Sequence, residues 1–225
     1  MQHILDNPIW NALISGNNGL ALGNEQARYF PQDVSPFVGL RDFTEANFNI
    51  LHETVPYKSM LAVFSANKIE QFGKWNMLRY IQVYQMIYSR TSPPPVPQQD
   101  LISLNDKDVP AMQALTKLTN PGPFFQNTIQ FGNYRGFFDD DKLIAMAGQR
   151  LHPYQYVEIS AVCTHPDYQG KGYASQLISD QINLIMAESC VPFLHVINTN
   201  PTAIKVYERL GFVKRREMFI YTIQK

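Results

Sequence analysis

The sequence predicts an α+β (mixed α/β) protein, and three observations carry that prediction. The β-branched and aromatic run from Tyr156 to Cys163 empties through a glycine-containing loop into an amphipathic run from Ser175 to Glu188, which reads as strand, tight loop, helix. Ahead of it, Tyr134 to Phe138 and Leu143 to Gly148 flank the turn Asp139-Asp140-Asp141 and read as a hairpin. Further upstream, Thr91 to Pro97 contains consecutive prolines that fit neither regular element. Such a run favours a stiff extended connector.

That connector divides the chain into an N-terminal α/β unit at 1–92, a proline-rich linker at 93–99 and a C-terminal domain at 100–225. The chain has 225 residues, 45% of them hydrophobic and 12% aromatic, enough for a sizeable core in one large or two small domains. Nineteen basic residues balance nineteen acidic ones, so the overall field recruits neither nucleic acid nor an anionic membrane. Cys163 and Cys190, the two cysteines, are too few for a disulfide framework. The five histidines show no metal-ligand spacing, and no metal is expected. With no basic segment leading into an apolar run at the N-terminus and no apolar stretch of membrane-spanning length, a cytoplasmic location is the expectation.

In chain order, Asn7 followed by Pro8 and apolar spacing to Ile14 predicts a short helix, stopped at Gly16 to Gly19. Short strands are expected at 20–22, 27–30 and 59–64, with a helix starting near Thr44 that carries Phe48, Ile50, Leu51 and Val55. From Trp75 to Tyr88 apolar residues are so dense that periodicity does not separate helix from strand. After the linker come a strand at 101–104, a helix from Asn105 as cap to Leu118, a break at Pro121-Gly122-Pro123 and a second short helix within 124–131.

The loop after Cys163 is the most informative stretch. Pro166 ends the strand ladder, Gly170 and Gly172 permit close approach of a ligand to the main chain, and Leu177, Ile178, Ile182, Ile185 and Met186 set a helix beginning near Gly172. Unpaired amides at such a helix start form an anion site, most naturally for phosphate. A P-loop is excluded, because Gly170-Lys171 is followed by Gly172 rather than Ser or Thr. A dinucleotide fingerprint fails too: Ser175 stands where its third glycine belongs, and the next strand ends in Asn198 rather than an acid.

Gln169-x-x-Gly172-x-Ala174 resembles the pyrophosphate loop of the GNAT superfamily of acyl-CoA-dependent N-acetyltransferases. Asn200-x-x-Ala203-x-x-x-Tyr207-x-x-x-Gly211-Phe212 resembles that family's penultimate helix, so the likeness spans roughly Asp100 to Lys225. It also extends to glycine N-acyltransferase-like proteins. The resemblance implies the GNAT fold, a mostly antiparallel central sheet with a splayed central strand pair. On this footing the N-terminal unit is either a small unit of its own or a diverged partial copy of the same fold.

What the resemblance implies for chemistry is transfer of the acetyl group of acetyl-CoA, as co-substrate, to a primary amine of a small molecule by direct attack in a ternary complex. The cofactor-binding set carried over is Val162, Cys163, Thr164, Gln169, Gly170, Lys171, Gly172, Tyr173, Ala174 and Asn200. The Val162 amide would face the thioester carbonyl as oxyanion donor. Glu158, four residues before Val162, is the expected general base, with a structural carboxylate satisfied by an arginine as the competing reading. Tyr207 is the expected general acid for the leaving thiolate, and otherwise a half-buried packing residue. Cys163 reads as a small core residue rather than an acyl carrier. Two rivals remain: a non-catalytic acyl-CoA sensor or scaffold, and transfer of a different acyl chain.

Overall fold

The computed structural model describes residues 3–96 and 101–225. In chain order these form helix α1 (Pro8–Leu13), strands β1 (Leu22–Gly23), β2 (Ala27–Tyr29) and β3 (Val38–Leu40), helix α2 (Glu45–Thr54), and strands β4 (Leu61–Ser65) and β5 (Asn76–Tyr88). Beyond the linker come β6 (Ile102–Ser103), helix α3 (Val109–Thr119), strands β7 (Arg135–Asp139), β8 (Lys142–Gln149) and β9 (Tyr156–Thr164), helix α4 (Tyr173–Ala187), strand β10 (Val191–Ile197), helix α5 (Pro201–Leu210) and strand β11 (Phe212–Gln224). β1 to β3 make a small sheet. The other eight strands make one large, mostly antiparallel sheet in the order β4-β11-β5-β10-β9-β8-β7-β6.

That order corrects the expected division of the chain. The proline stretch is irregular from Pro93 to Val96, as its composition requires, while Pro97 to Asp100 lie outside the described residues. The sheet ignores the linker: β5 lies between β10 and β11, pairing antiparallel with both. The core crosses it as well, since Leu5, Ile9, Phe30, Phe37 and Phe64 pack with Leu151 and Phe193. Apolar side chains on both sides of the linker are thus buried against one another, and the composition break marks a loop rather than a division of the core.

The ambiguous stretch before the linker is the 13-residue strand β5. Its inner half is flanked by strands and buried on both faces, and such strands lose the alternation that would reveal them. The second short helix expected within 124–131 is only a 3₁₀ turn at Thr128–Phe131. Asn7 does not cap α1 with its side chain; its Nδ2 instead donates to the Leu40 carbonyl at 2.8 Å and ties the helix to β3.

Two irregularities in the large sheet position the site. β10 pairs parallel with β9 only over Val191↔Tyr156, Pro192↔Val157 and Phe193↔Glu158, after which the strands part. Opposite Ala147, the β8–β9 register slips between Met146/Cys163 and Gly148/Ser160, and Ala161 takes a φ of 52°. That bulge bends β9 away from β10. The splayed pair expected from the sequence is therefore present.

Candidate active site

The fork between β9 and β10 opens onto a cavity of about 520 Å³, bounded by Val162 to Thr164 on β9, by the following loop and the start of α4, and by Asn200, Ala203 and Tyr207 of α5. Its size lies within the usual range for small-molecule pockets. Thr164 is among the residues that bound it, and the Thr164 hydroxyl is buried with no hydrogen-bond partner among the described residues. An orphaned buried hydroxyl of that kind invites a ligand atom.

The loop has an open backbone of the kind that suits an anion. After the 3₁₀ turn Pro166–Tyr168, Gly170 and Gly172 adopt φ of 77° and 84°, and a Cβ at either would meet only open space. The first α4 hydrogen bond runs from the Gln176 amide to the Gly172 carbonyl, leaving the amides of Tyr173, Ala174 and Ser175 without helical partners. No acidic residue occupies that first turn. The buried Leu177, Ile178, Ile182 and Ile185 fix α4 against the sheet and so aim its positive end into the cavity. Lys171 does not line the cavity; its ammonium lies 4.9 Å from the centre of the Tyr168 ring.

On α5, Asn200 caps the helix by accepting from the Ala203 amide at 3.1 Å while also lining the cavity. Tyr207 is half-buried, edge-on to Phe212 at 6.0 Å, and burial pushes its hydroxyl up to about 12. It stays protonated at neutral pH. Cys163 is buried among α3 residues; burial pushes its thiol up to about 11, with hydrogen bonding to Thr119 and the Met146 backbone acting in the opposite sense. It has none of the thiolate character an acyl carrier needs.

Glu158 lies elsewhere. It is fully buried, receives Arg150 Nε at 2.9 Å and Arg150 Nη2 at 2.6 Å, and sits 2.7 Å from His195 Nδ1. Burial alone would raise its pKa, but the Arg150 charge and the hydrogen bonds from Arg150 and His195 together bring it down to about 2. A carboxylate so stabilised in its ionised form is a weak base, and its oxygens are engaged, which is the arrangement of the competing structural reading rather than that of the expected general base.

Sequence reasoning missed Arg150, His195 and Gln85. Gln85 is fully buried, with its Nε2 3.0 Å from His195 Nε2. Their only local signal is polarity inside apolar strands, and nothing in their spacing links them. Among the described residues there is no group of three or more His, Cys, Asp or Glu able to hold a metal, and no helix is long and apolar enough to cross a membrane.

The forked sheet with a glycine loop at the start of the helix beyond it defines the class of fold, a mixed α/β sheet with a splayed strand pair, and comparison with known proteins gives its family. The family model described as FR47-like protein matches residues 134–220. A GNAT-family protein from Novosphingobium aromaticivorans superimposes with a TM-score of 0.90 at 31% identity, covering 100% of this chain and 99% of that one. A GCN5-related N-acetyltransferase from Kribbella flavida shares the fold at a TM-score of 0.63 and 11% identity, over 96% of this chain and 95% of that one. A search of curated proteins by sequence gives no match. The chain belongs to the GNAT family of acetyltransferases.

Proposed function

We propose that the protein transfers the acetyl group of acetyl-CoA to a primary amine of a small molecule, by direct attack in a ternary complex. The observation that carries this reading is the cavity in the fork, bounded at one end by a loop whose Gly170 and Gly172 leave the backbone free of side chains. The amides from Gln169 to Ala174 would hold the pyrophosphate, the Val162 to Thr164 backbone the pantetheine arm, and Asn200 its far side. Acetyl-CoA supplies an activated acyl carbon; the residues of this chain bind it, exclude water and manage charge.

The Val162 amide would stabilise the oxyanion formed when the amine nitrogen attacks the thioester carbon. As the carbon–sulfur bond breaks, the Tyr207 hydroxyl would hydrogen-bond the leaving sulfur and supply its proton. Ala161 and Cys163 pack with α3 on one face of the sheet, and Val162 packs with α4 on the other. The acceptor would therefore approach the bulge from the α3 face, beneath the segment from Pro121 to Phe124, where the structure leaves a cavity of only about 10 Å³ and the segment would have to move aside. None of the described residues lining that cavity is acidic, and Glu158 nearby is bound to Arg150, so the amine would lose its proton to water. The cytoplasm, where acetyl-CoA is made and used, is the location that belongs with this reading.

Titration calorimetry tests it. The wild-type protein is expected to bind acetyl-CoA and Gly172→Val to lose at least about tenfold in affinity, near 1.4 kcal/mol, because a side chain there occupies pyrophosphate space. Unchanged affinity in a folded Gly172→Val protein would overturn the site.

A further inference from the structure

The backbone ladder between β9 and β10 ends at the Phe193–Glu158 pair, and a side-chain bridge takes over at that point. His195, two residues further along β10, reaches across the opening fork to Glu158. The cluster has one self-consistent hydrogen-bond assignment. Ionised Glu158 only accepts, so the His195 Nδ1 donates to it. Gln85 Nε2 donates at 2.9 Å to the Leu5 carbonyl and, its Oε1 being taken by Arg215, meets His195 Nε2 as a donor at 3.0 Å. The Gln85 orientation is fixed in turn by Arg215 Nε, which donates to its Oε1 at 2.5 Å while the Arg215 Nη2 donates to Asp6. One chain of contacts thus runs from Arg150 at the end of β8 through β9, β10, β5 and β11 to the N-terminal segment.

Stability alone does not account for charge at this place. Replacing a buried ion pair by apolar side chains of similar volume is commonly neutral or stabilising. Between the bridge and Val162 lies Ala161 with its left-handed backbone, and such strain persists only where the surroundings over-determine it.

We propose that His195, held by Gln85 and acting through Glu158 and Arg150, is a positioning residue that sets the opening of the β9/β10 fork and with it the reach of the Val162 amide to the thioester carbonyl. This rests on the acetyl-transfer reading above. It assigns the N-terminal segment and β5 a part in the transfer step rather than in holding the pyrophosphate.

The test follows the carbonyl resonance of [1-¹³C]acetyl-CoA on the full-length protein, alongside the affinity for CoA. In the wild type a hydrogen bond from the Val162 amide is expected to displace the bound carbonyl downfield. His195→Leu is expected to lose that displacement with CoA affinity unchanged, and His195→Asn, whose amide nitrogen takes the Nδ1 place, to recover it. A merely structural role would lower thermal stability and leave the resonance of the folded, bound protein where it was, which overturns the proposal. Should His195→Leu fail to fold, Gln85→Leu reports instead: a reduced displacement supports the proposal and an undiminished one overturns it. A wild-type protein that binds no acetyl-CoA overturns the underlying acetyl-transfer reading, whereas one that binds it with the carbonyl undisplaced overturns the positioning role alone.

Discussion

Two polar centres lie on either side of the forked strand, and they are built on opposite plans. The loop from Gln169 to Ala174 presents backbone amides at the head of α4, with Gly170 and Gly172 leaving open space where side chains would be. The cluster around Glu158 is made of side chains paired with one another, with the carboxylate itself fully buried. An open centre of fixed dipoles can receive a charged ligand without first giving up its own partners, whereas a closed centre of paired charges has nothing left to offer. The first is suited to binding and the second to holding geometry.

The largest test of this contrast removes the N-terminal part altogether. A fragment covering residues 101–225 would lack β4 and β5, leaving β10 and β11 without the strand that joins them. It is expected to show no cooperative unfolding transition, in calorimetry or in denaturant, and to bind no acetyl-CoA. A fragment that folds and binds would restore the linker as a true domain boundary.

Next in size is the loss of one buried charge. Glu158→Gln leaves the Arg150 guanidinium without its counter-charge, and breaking a buried pair in this way costs about 3–5 kcal/mol, readable as a lowered denaturation midpoint. The pH dependence follows from the same carboxyl. Its folded pKa of about 2 lies below the ordinary value of 4.5, so its contribution to stability is full above pH 4.5 and is lost as pH falls toward 2. Wild-type stability should fall across that window, and Glu158→Gln should show a flatter profile there. The acidic limb of the pH–rate profile should keep its position in the variant, since it reports the proton of the acceptor amine. A limb displaced or abolished by the substitution would return Glu158 to the role of base.

These two centres also differ in how far the sequence discloses them. The cradle depends on a backbone shape that only a few residue types allow, so it leaves a local pattern, Gln169-x-x-Gly172-x-Ala174, beside a strand and a helix that periodicity identifies. Tyr207 and Asn200 are legible for a similar reason, being fixed by the turns of one amphipathic helix. The cluster joins Arg150, Glu158, His195 and Gln85 from four separate stretches, and only the fold brings them together. From the sequence, Glu158 shows its offset from Val162 but not the arginine that neutralises it. β5 escaped for a related reason, because its buried half shows no alternation and its place between β10 and β11 depends on pairing across more than a hundred residues.

Within the cavity, Tyr207→Phe removes a hydroxyl and almost no packing. Turnover is expected to fall by a factor on the order of 10², within the usual range for losing a general acid, while acetyl-CoA affinity stays nearly unchanged. Equal turnover by the two proteins at saturating substrates would make Tyr207 a packing residue against Phe212 and would favour a site that binds without reacting.

The smallest effect is expected at Lys171, and it bears directly on how the cradle works. This lysine sits inside the loop motif and carries a positive charge near the proposed pyrophosphate, so a side-chain account of the site would give it a leading part. Its side chain instead lies over the Tyr168 ring, and the residue is exposed. Water and salt screen a charge so placed, and its attraction to a phosphate falls in the range of surface ion pairs, about 0.2–1 kcal/mol. Lys171→Ala should therefore weaken acetyl-CoA binding by no more than about fivefold at physiological salt, and by still less as salt is raised. Calorimetry on the variant across a salt series gives the answer. A loss as large as that of Gly172→Val, persisting at high salt, would mean that the lysine closes over the phosphates and that the cradle is made of side chains after all.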